Sequence, residues 1–235
     1  LGEFDDIDIA MMIHTSGSAE DRLAGVADSS NGCIVKQIRY IGREAHAGGA
    51  PDKGINALYA AHVAMAAINS IRETFRDQDS IRVHPIITRG GDLVNVIPAD
   101  VRMETYVRGK TLRAIEEADR KVDRALKAGA LALGAEVEIT TLPGYFPLRN
   151  NAAMASLFKQ NMLPILGGEE QFTTGGHRTG STDMGDVSHI MPSLHPFMAG
   201  ASGNGHSPDW RISDPEKAYI WPAKALAATA IDLLY

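Results

Sequence analysis

The chain has 235 residues, 44% of them hydrophobic and 22% charged, with a formal net charge of -6. That length admits one large or two modest domains with cores of their own, and the acidic balance offers no basic surface to nucleic acid. No run approaches the ~20 apolar residues of a membrane-spanning helix, and the single cysteine, Cys33, has no cationic neighbour and no internal disulfide partner, which fits a reducing cytoplasm.

The chain opens on Leu1-Gly-Glu-Phe-Asp-Asp, with neither an initial methionine nor the basic and apolar regions of a leader. It passes at once into the apolar run Ile7 to Ile13, which reads as the interior of a domain, so an N-terminally truncated chain is expected. His14 ends that run and precedes Thr15-Ser-Gly-Ser18, where a buried strand gives out into a turn. A metal ligand and a capping histidine look identical at such a position.

From Ile34 the pattern is strand, helix, strand, strand, helix, strand. The first strand covers Ile34 to Ile41. A glycine-rich turn carrying His46 follows, expected to face solvent and to swing. The helix after it places Ile55, Leu58, Ala61, Met65, Ile68, Ile71 and Phe75 at steps of three and four. A strand at Ile81 to Thr88 precedes Val101 to Arg108, which alternates apolar and polar and predicts a sheet covered on one side only. Thr111 caps a second helix with Leu112, Ile115, Val122, Leu126 and Leu133 as its stripe, Gly134 stops it, and a last strand runs from Glu136 to Thr141, ending at Pro143-Gly144. This is a split βαβ pattern of the ferredoxin-like kind, giving domain limits of about 34 to 149. Residues 150 to 235 hold helices at Ala152 to Met162 and Glu216 to Leu234, and the first 33 residues are expected to pack with them. Between those helices, residues 175–189 and 200–210 are rich in glycine, hydroxyl residues and histidine, a composition of active-site loops.

His206, in Gly203-Asn-Gly-His206-Ser-Pro, is the stronger ligand candidate, with Asp209 and Trp210 placed to support it. Two histidines do not make a catalytic zinc site, which takes at least three protein ligands. Glu116-Glu117 and Glu169-Glu170 read as surface charge, and neither His-x-Asp nor His-Glu-x-x-His occurs. Either there is no metal or further ligands lie upstream of Leu1. Ser181, Asp183, Ser202 and His206 are the side-chain types of a serine hydrolase, but Gly200-Ala-Ser202-Gly-Asn is not a Gly-x-Ser-x-Gly elbow, and no phosphate loop is present. His177, His189 and His195 suit structural roles.

Taken in order, Gly42-x-x-x-His46-Ala, Pro51-x-x-Gly54-x-Asn56-Ala, Gly90-Gly-x-x-x-Asn95-x-Ile-Pro98, Arg108, Gly180-Ser-Thr-Asp183-x-Gly-Asp-Val-Ser188 and a late His206-Ser resemble the M20 family of metallo-amidohydrolases and peptidases, and within it the aminobenzoyl-glutamate hydrolase and aminoacylase-1-like 2 branch. The resemblance implies an α/β zinc-peptidase-like catalytic domain interrupted by a ferredoxin-like βαββαβ lid that also forms a homodimer. It implies a two-metal site holding zinc or manganese, with His14 and His206 as metal ligands and the remaining ligands upstream of Leu1. It makes His46 the lid histidine that reaches the partner's active site, and Asn95 and Arg108 the residues that hold a free substrate carboxylate. The expected reaction is hydrolysis of the amide bond of an N-acyl amino acid, an aminobenzoyl-glutamate-like compound or a dipeptide. The alternative is a dimerising, carboxylate-binding fragment without chemistry.

Overall fold

The computed structural model describes residues 2–17 and 22–235. The chain divides into two compact units, one formed by Leu1–Ser30 with Leu148–Tyr235 and the other by Asn31–Pro147. Among the described residues no helix is long and apolar enough to cross a membrane.

The first unit begins with four short strands, β1 (Ala10–Met11), β2 (His14–Gly17), β3 (Ala24–Val26) and β4 (Ser29–Ser30). The run Ile7 to Ile13, expected as a buried strand ending at His14, is therefore extended only in part. Its two-residue strand pairs with a two-residue partner, Ile7 is 46% exposed, and His14 begins the next strand instead of closing this one.

In the middle unit, β5 (Gly32–Ile41) leads through the histidine turn to α1 (Ala57–Ser70). Then come β6 (Arg82–Val83), β7 (Ile86–Arg89), β8 (Asp100–Gly109), α2 (Leu112–Leu133) and β9 (Glu136–Tyr145). The strands form one antiparallel sheet in the order β6, β8, β5, β9, with β7 also on β8. The alternation in β8 is realised: Val101, Met103, Thr105 and Val107 are buried under the helices, and Arg102, Glu104 and Tyr106 stand on the open face. Two local expectations change. The strand expected over 81–88 is broken into β6 and β7, because His84-Pro85 interrupts it and proline has no N–H to give the ladder. The last strand continues past Thr141 through Pro143-Gly144 to Tyr145, with an irregularity opposite Cys33 and Ile34.

The helix layer is held together by small residues. Ala57, Ala60, Ala61 and Ala64 of α1 are fully buried, whereas Leu58 and Met65 pack only at the margin. A Cβ on Gly129 of α2 would press on the carbonyl oxygen of Ala60 and come within 2.9 Å of the Ala64 nitrogen, so glycine there allows the two backbones to approach closely. Thr111 accepts from the Ala114 N–H at 3.1 Å, and Gly134 ends α2 in the left-handed conformation at φ 69, as the sequence predicts. One charge lies inside this apolar layer. The Lys36 side chain is wholly buried, its Nζ 2.6 Å from Asp119 Oδ1 and 2.7 Å from Asp123 Oδ1, one turn apart on α2, and it donates to Thr141 Oγ1 at 2.7 Å.

The first unit resumes with α3 (Ala152–Leu166), β10 (Phe172–Thr174), β11 (His177–Arg178), α4 (Met184–Val187), β12 (Ser193–Leu194), β13 (Phe197–Ser202), β14 (Arg211–Ile212) and α5 (Trp221–Leu234), the last preceded by a π-helical turn over Glu216–Ile220. Each of the four opening strands pairs here: β1 with β12, β2 with β13, β3 with β10 and β13, and β4 with β11. Residues 200–202, expected in a loop, complete β13. Phe158, Phe172, Leu194 and Met198 form the centre of this core.

Candidate functional site

The histidine turn of the middle unit is locked by backbone hydrogen bonds. His46 forms an antiparallel bridge with Val96: the Ala47 N–H donates to Asn95 O at 2.9 Å and the Ile97 N–H donates to Ala45 O at 2.9 Å. The Gly42 N–H donates to Ala99 O at 2.8 Å, and Asn56 caps α1 by accepting from Tyr59 N–H at 3.0 Å. The two glycine-rich motifs are thus one object at the end of the sheet where β5 stops and β8 starts. His46 is exposed but its ring is not free to swing, because Nδ1 accepts from the Gly48 and Gly49 N–H groups at 3.2 and 3.0 Å. With Nδ1 accepting, a neutral ring carries its proton on Nε2, pointing outward as a donor.

Asn95 is exposed beside His46, but Arg108 is not with them. Arg108 is paired with Cys33 and Arg82 near the opposite end of β8, eight residues from Asp100, a separation of roughly 26 Å at ~3.3 Å per residue. Its guanidinium lies over the Tyr106 ring, 5.0 Å from the centroid. Within this chain, Asn95 and Arg108 do not meet.

In the other unit, a cavity of about 520 Å³ is lined by His14, Ser29, His177, Arg178, Ser181 and His195, among others. The His195 ring lies edge-on to that of His14, with centroids 6.1 Å apart. Its Nδ1 is 2.9 Å from Met12 O, and its backbone N–H donates to Asn150 Oδ1 at 2.6 Å. Burial pushes the His195 imidazole below its usual pKa, more than the Met12 carbonyl raises it, and Nδ1, which faces that carbonyl oxygen, is the donating nitrogen. His177 Nδ1 is 2.9 Å from Ser29 Oγ, and Arg178 stacks on Phe197 at 3.9 Å. His195 and His177 make these hydrogen bonds while also lining the cavity that His14 lines. No spacing signal marks them, since His177 reaches it by pairing with Ser29 and His195 through its bonds to Met12 and Asn150. Ser181, in the Gly-Ser-Thr-Asp motif, lines the same cavity, and its hydroxyl, like that of Ser30, is buried without a partner among the described residues.

His206 lies in the turn between β13 and β14 with a left-handed φ of 64, exposed. His14 is in register with Phe197, the first residue of β13, whereas His206 follows the last, Ser202, so the two leave the paired strands at opposite ends. Among the described residues, no three of His, Cys, Asp and Glu come together to hold a metal ion. The residues described do not complete the metal site that the resemblance implies.

Residues 32–133 match the peptidase dimerisation domain of the M20 type. The Xaa-Arg dipeptidase of Mus musculus is 30% identical over 243 residues, covering 100% of this chain and 54% of its own length. A p-aminobenzoyl-glutamate hydrolase component from Escherichia coli (strain K12) is 26% identical over 138 residues, 58% of this chain and 31% of its own length. The crystal structure of AtUAH in complex with (S)-hydroxyglycine shares the fold with a TM-score of 0.80 and 16% identity, over 96% of this chain and 53% of that one. The chain spans about half the length of the curated relatives it matches. It thus has the mixed α/β fold of the M20 amidohydrolases over part of their length, and it is a distant homologue, along its whole sequence, of the Xaa-Arg dipeptidases and carries the M20 peptidase dimerisation domain.

Proposed function

We propose that this chain is part of a homodimeric amidohydrolase that cleaves the amide bond of a substrate with a free carboxylate, such as an Xaa-Arg dipeptide or an aminobenzoyl-glutamate-like compound. The observation that carries this reading is the His46 tautomer. Two backbone donors occupy Nδ1, which leaves the Nε2–H as a preset, outward-facing donor for the oxyanion that forms when the amide carbonyl is attacked. Asn95 is held beside it by the Ala47 bond. Arg108 offers a guanidinium for the substrate carboxylate.

The separation of Arg108 from the His46 and Asn95 end supports assembly of each substrate site from two copies, with His46 and Asn95 from one protomer and Arg108 from the other. The divalent metal implied by the family, zinc or manganese, would need ligands besides His14 and His206. In the active enzyme, His46→Ala should lower kcat by about 10²- to 10³-fold with KM changed much less, the pattern of a donor used only as charge develops. Hydrolysis of both substrate types at the wild-type rate by that variant would overturn the reading.

A further inference from the structure

The open face of the middle sheet carries two arginine pairs placed directly opposite each other across neighbouring strands, Arg39 with Arg102 and Arg82 with Arg108. Like charges in that arrangement repel and destabilise a sheet unless something neutralises them. The first pair is neutralised. Asp100 lies 2.8 Å from Arg39 and 3.2 Å from Arg102, it also takes Arg89 at 3.0 Å, and Glu138 adds a second contact to Arg39. The second pair has no carboxylate partner among the described residues. Among the described residues, the Arg82 guanidinium donates to Ile81 O and the Arg108 guanidinium lies over the Tyr106 ring. Val83 and Val107, their immediate neighbours, are fully buried on the helix side, which puts both guanidinium groups on the open face.

We propose that Arg82 joins Arg108 in a two-guanidinium receptor for a carboxylate, with the Tyr106 ring under the Arg108 guanidinium. This rests on the reading above that Arg108 receives the substrate's free carboxylate, and it adds Arg82 as a second, specificity-determining residue. Two arginine forks on adjacent strands can each give paired N–H donors to one oxyanion, which relieves their mutual repulsion at the moment of binding. An amide substrate lacking the carboxylate gives no such relief and is selected against.

The test is titration of the full chain with N-acetylglycine, followed by NMR at the arginine Nε–H groups, with N-acetylglycinamide and inorganic phosphate as comparisons. Saturable shifts at Arg82 and Arg108 with N-acetylglycine are expected, with little response to the neutral amide. Arg82→Gln should weaken binding by about tenfold, while Arg39→Gln leaves it within about twofold. Unchanged affinity in Arg82→Gln, equal binding of the amide, or saturation by phosphate without saturation by N-acetylglycine would overturn the proposal. The hydrolysis assay separates the two readings. If Arg82→Gln and Arg108→Gln both lose N-acetylglycine binding while Arg108→Gln retains the wild-type KM, the receptor stands and its role in the proposed reaction falls.

Discussion

The backbone N–H of Ala47 donates to the carbonyl oxygen of Asn95 at 2.9 Å, across nearly fifty residues of sequence, and so fixes the histidine turn to the asparagine turn. The imidazole is held by its own turn as well, through Gly48 and Gly49. Adding a Cβ at Gly49 would place it 3.5 Å from Nδ1, ordinary contact, so the space for alanine exists. Gly49→Pro is a different matter, because it removes the nearer of the two N–H groups that occupy Nδ1 and leaves only that of Gly48. Its expected effect is a loss of kcat smaller than that of His46→Ala, with little change in thermal stability, read by steady-state kinetics beside calorimetry.

Lys36 predicts a large stability effect far from any chemistry. Removing the ammonium leaves Asp119 and Asp123 facing each other with side chains only 24% and 29% exposed. Lys36→Met should cost about 3 kcal/mol in urea unfolding, as breaking one side of a buried ion pair does. Replacing both aspartates together with Lys36→Met should recover part of that loss, because no unpaired charge then remains.

Gly129 tests the close packing of α1 and α2. Gly129→Ala pushes a methyl group into the Ala60 carbonyl and the Ala64 backbone, where neither can give way cheaply. The expectation is a loss of about 1–3 kcal/mol despite the better helix propensity of alanine. A stabilised variant in the same urea titration would contradict the packing described.

Asp100 supplies a pH dependence. Its carboxyl is held below the usual carboxylate pKa, first by the Arg39 hydrogen bond and then by Arg102. A carboxylate with a lowered folded pKa contributes stability above its unfolded pKa, near ~4, and that contribution is lost as pH falls through the folded value. Asp100→Asn should therefore be less stable than the wild type at about pH 6, and the gap between their thermal midpoints should close toward about pH 3.

The middle unit was legible because its signals are local. Alternation in Val101 to Arg108, the Thr111 cap and the Gly134 stop each follow from one stretch of chain. What escaped was set by contact. The buried face of α1 is alanine apart from Ile68, and Gly129 lies against Ala60 and Ala64, which no periodicity in α1 alone reveals. His46 and Asn95 stand together, and Arg108 stands apart, only because β8 runs between them, a fact of register that motif spacing does not contain. In the other unit, the apolar run before His14 reads as a strand, yet it pairs over two residues only, and His177 and His195 gain their place beside His14 through a strand pair with Ser29 and bonds to Met12 and Asn150, all distant in sequence.

The central claim, that one substrate site draws His46 from one protomer and Arg108 from the other, is tested most directly by complementation between inactive protomers. Mixing inactive His46→Ala and Arg108→Gln forms of the active dimer, with exchange of protomers, should restore roughly a quarter of wild-type activity, since about half the dimers are mixed and each then has one intact site. Recovery of no activity after verified exchange would show that both residues serve the same protomer's site, and would contradict the account.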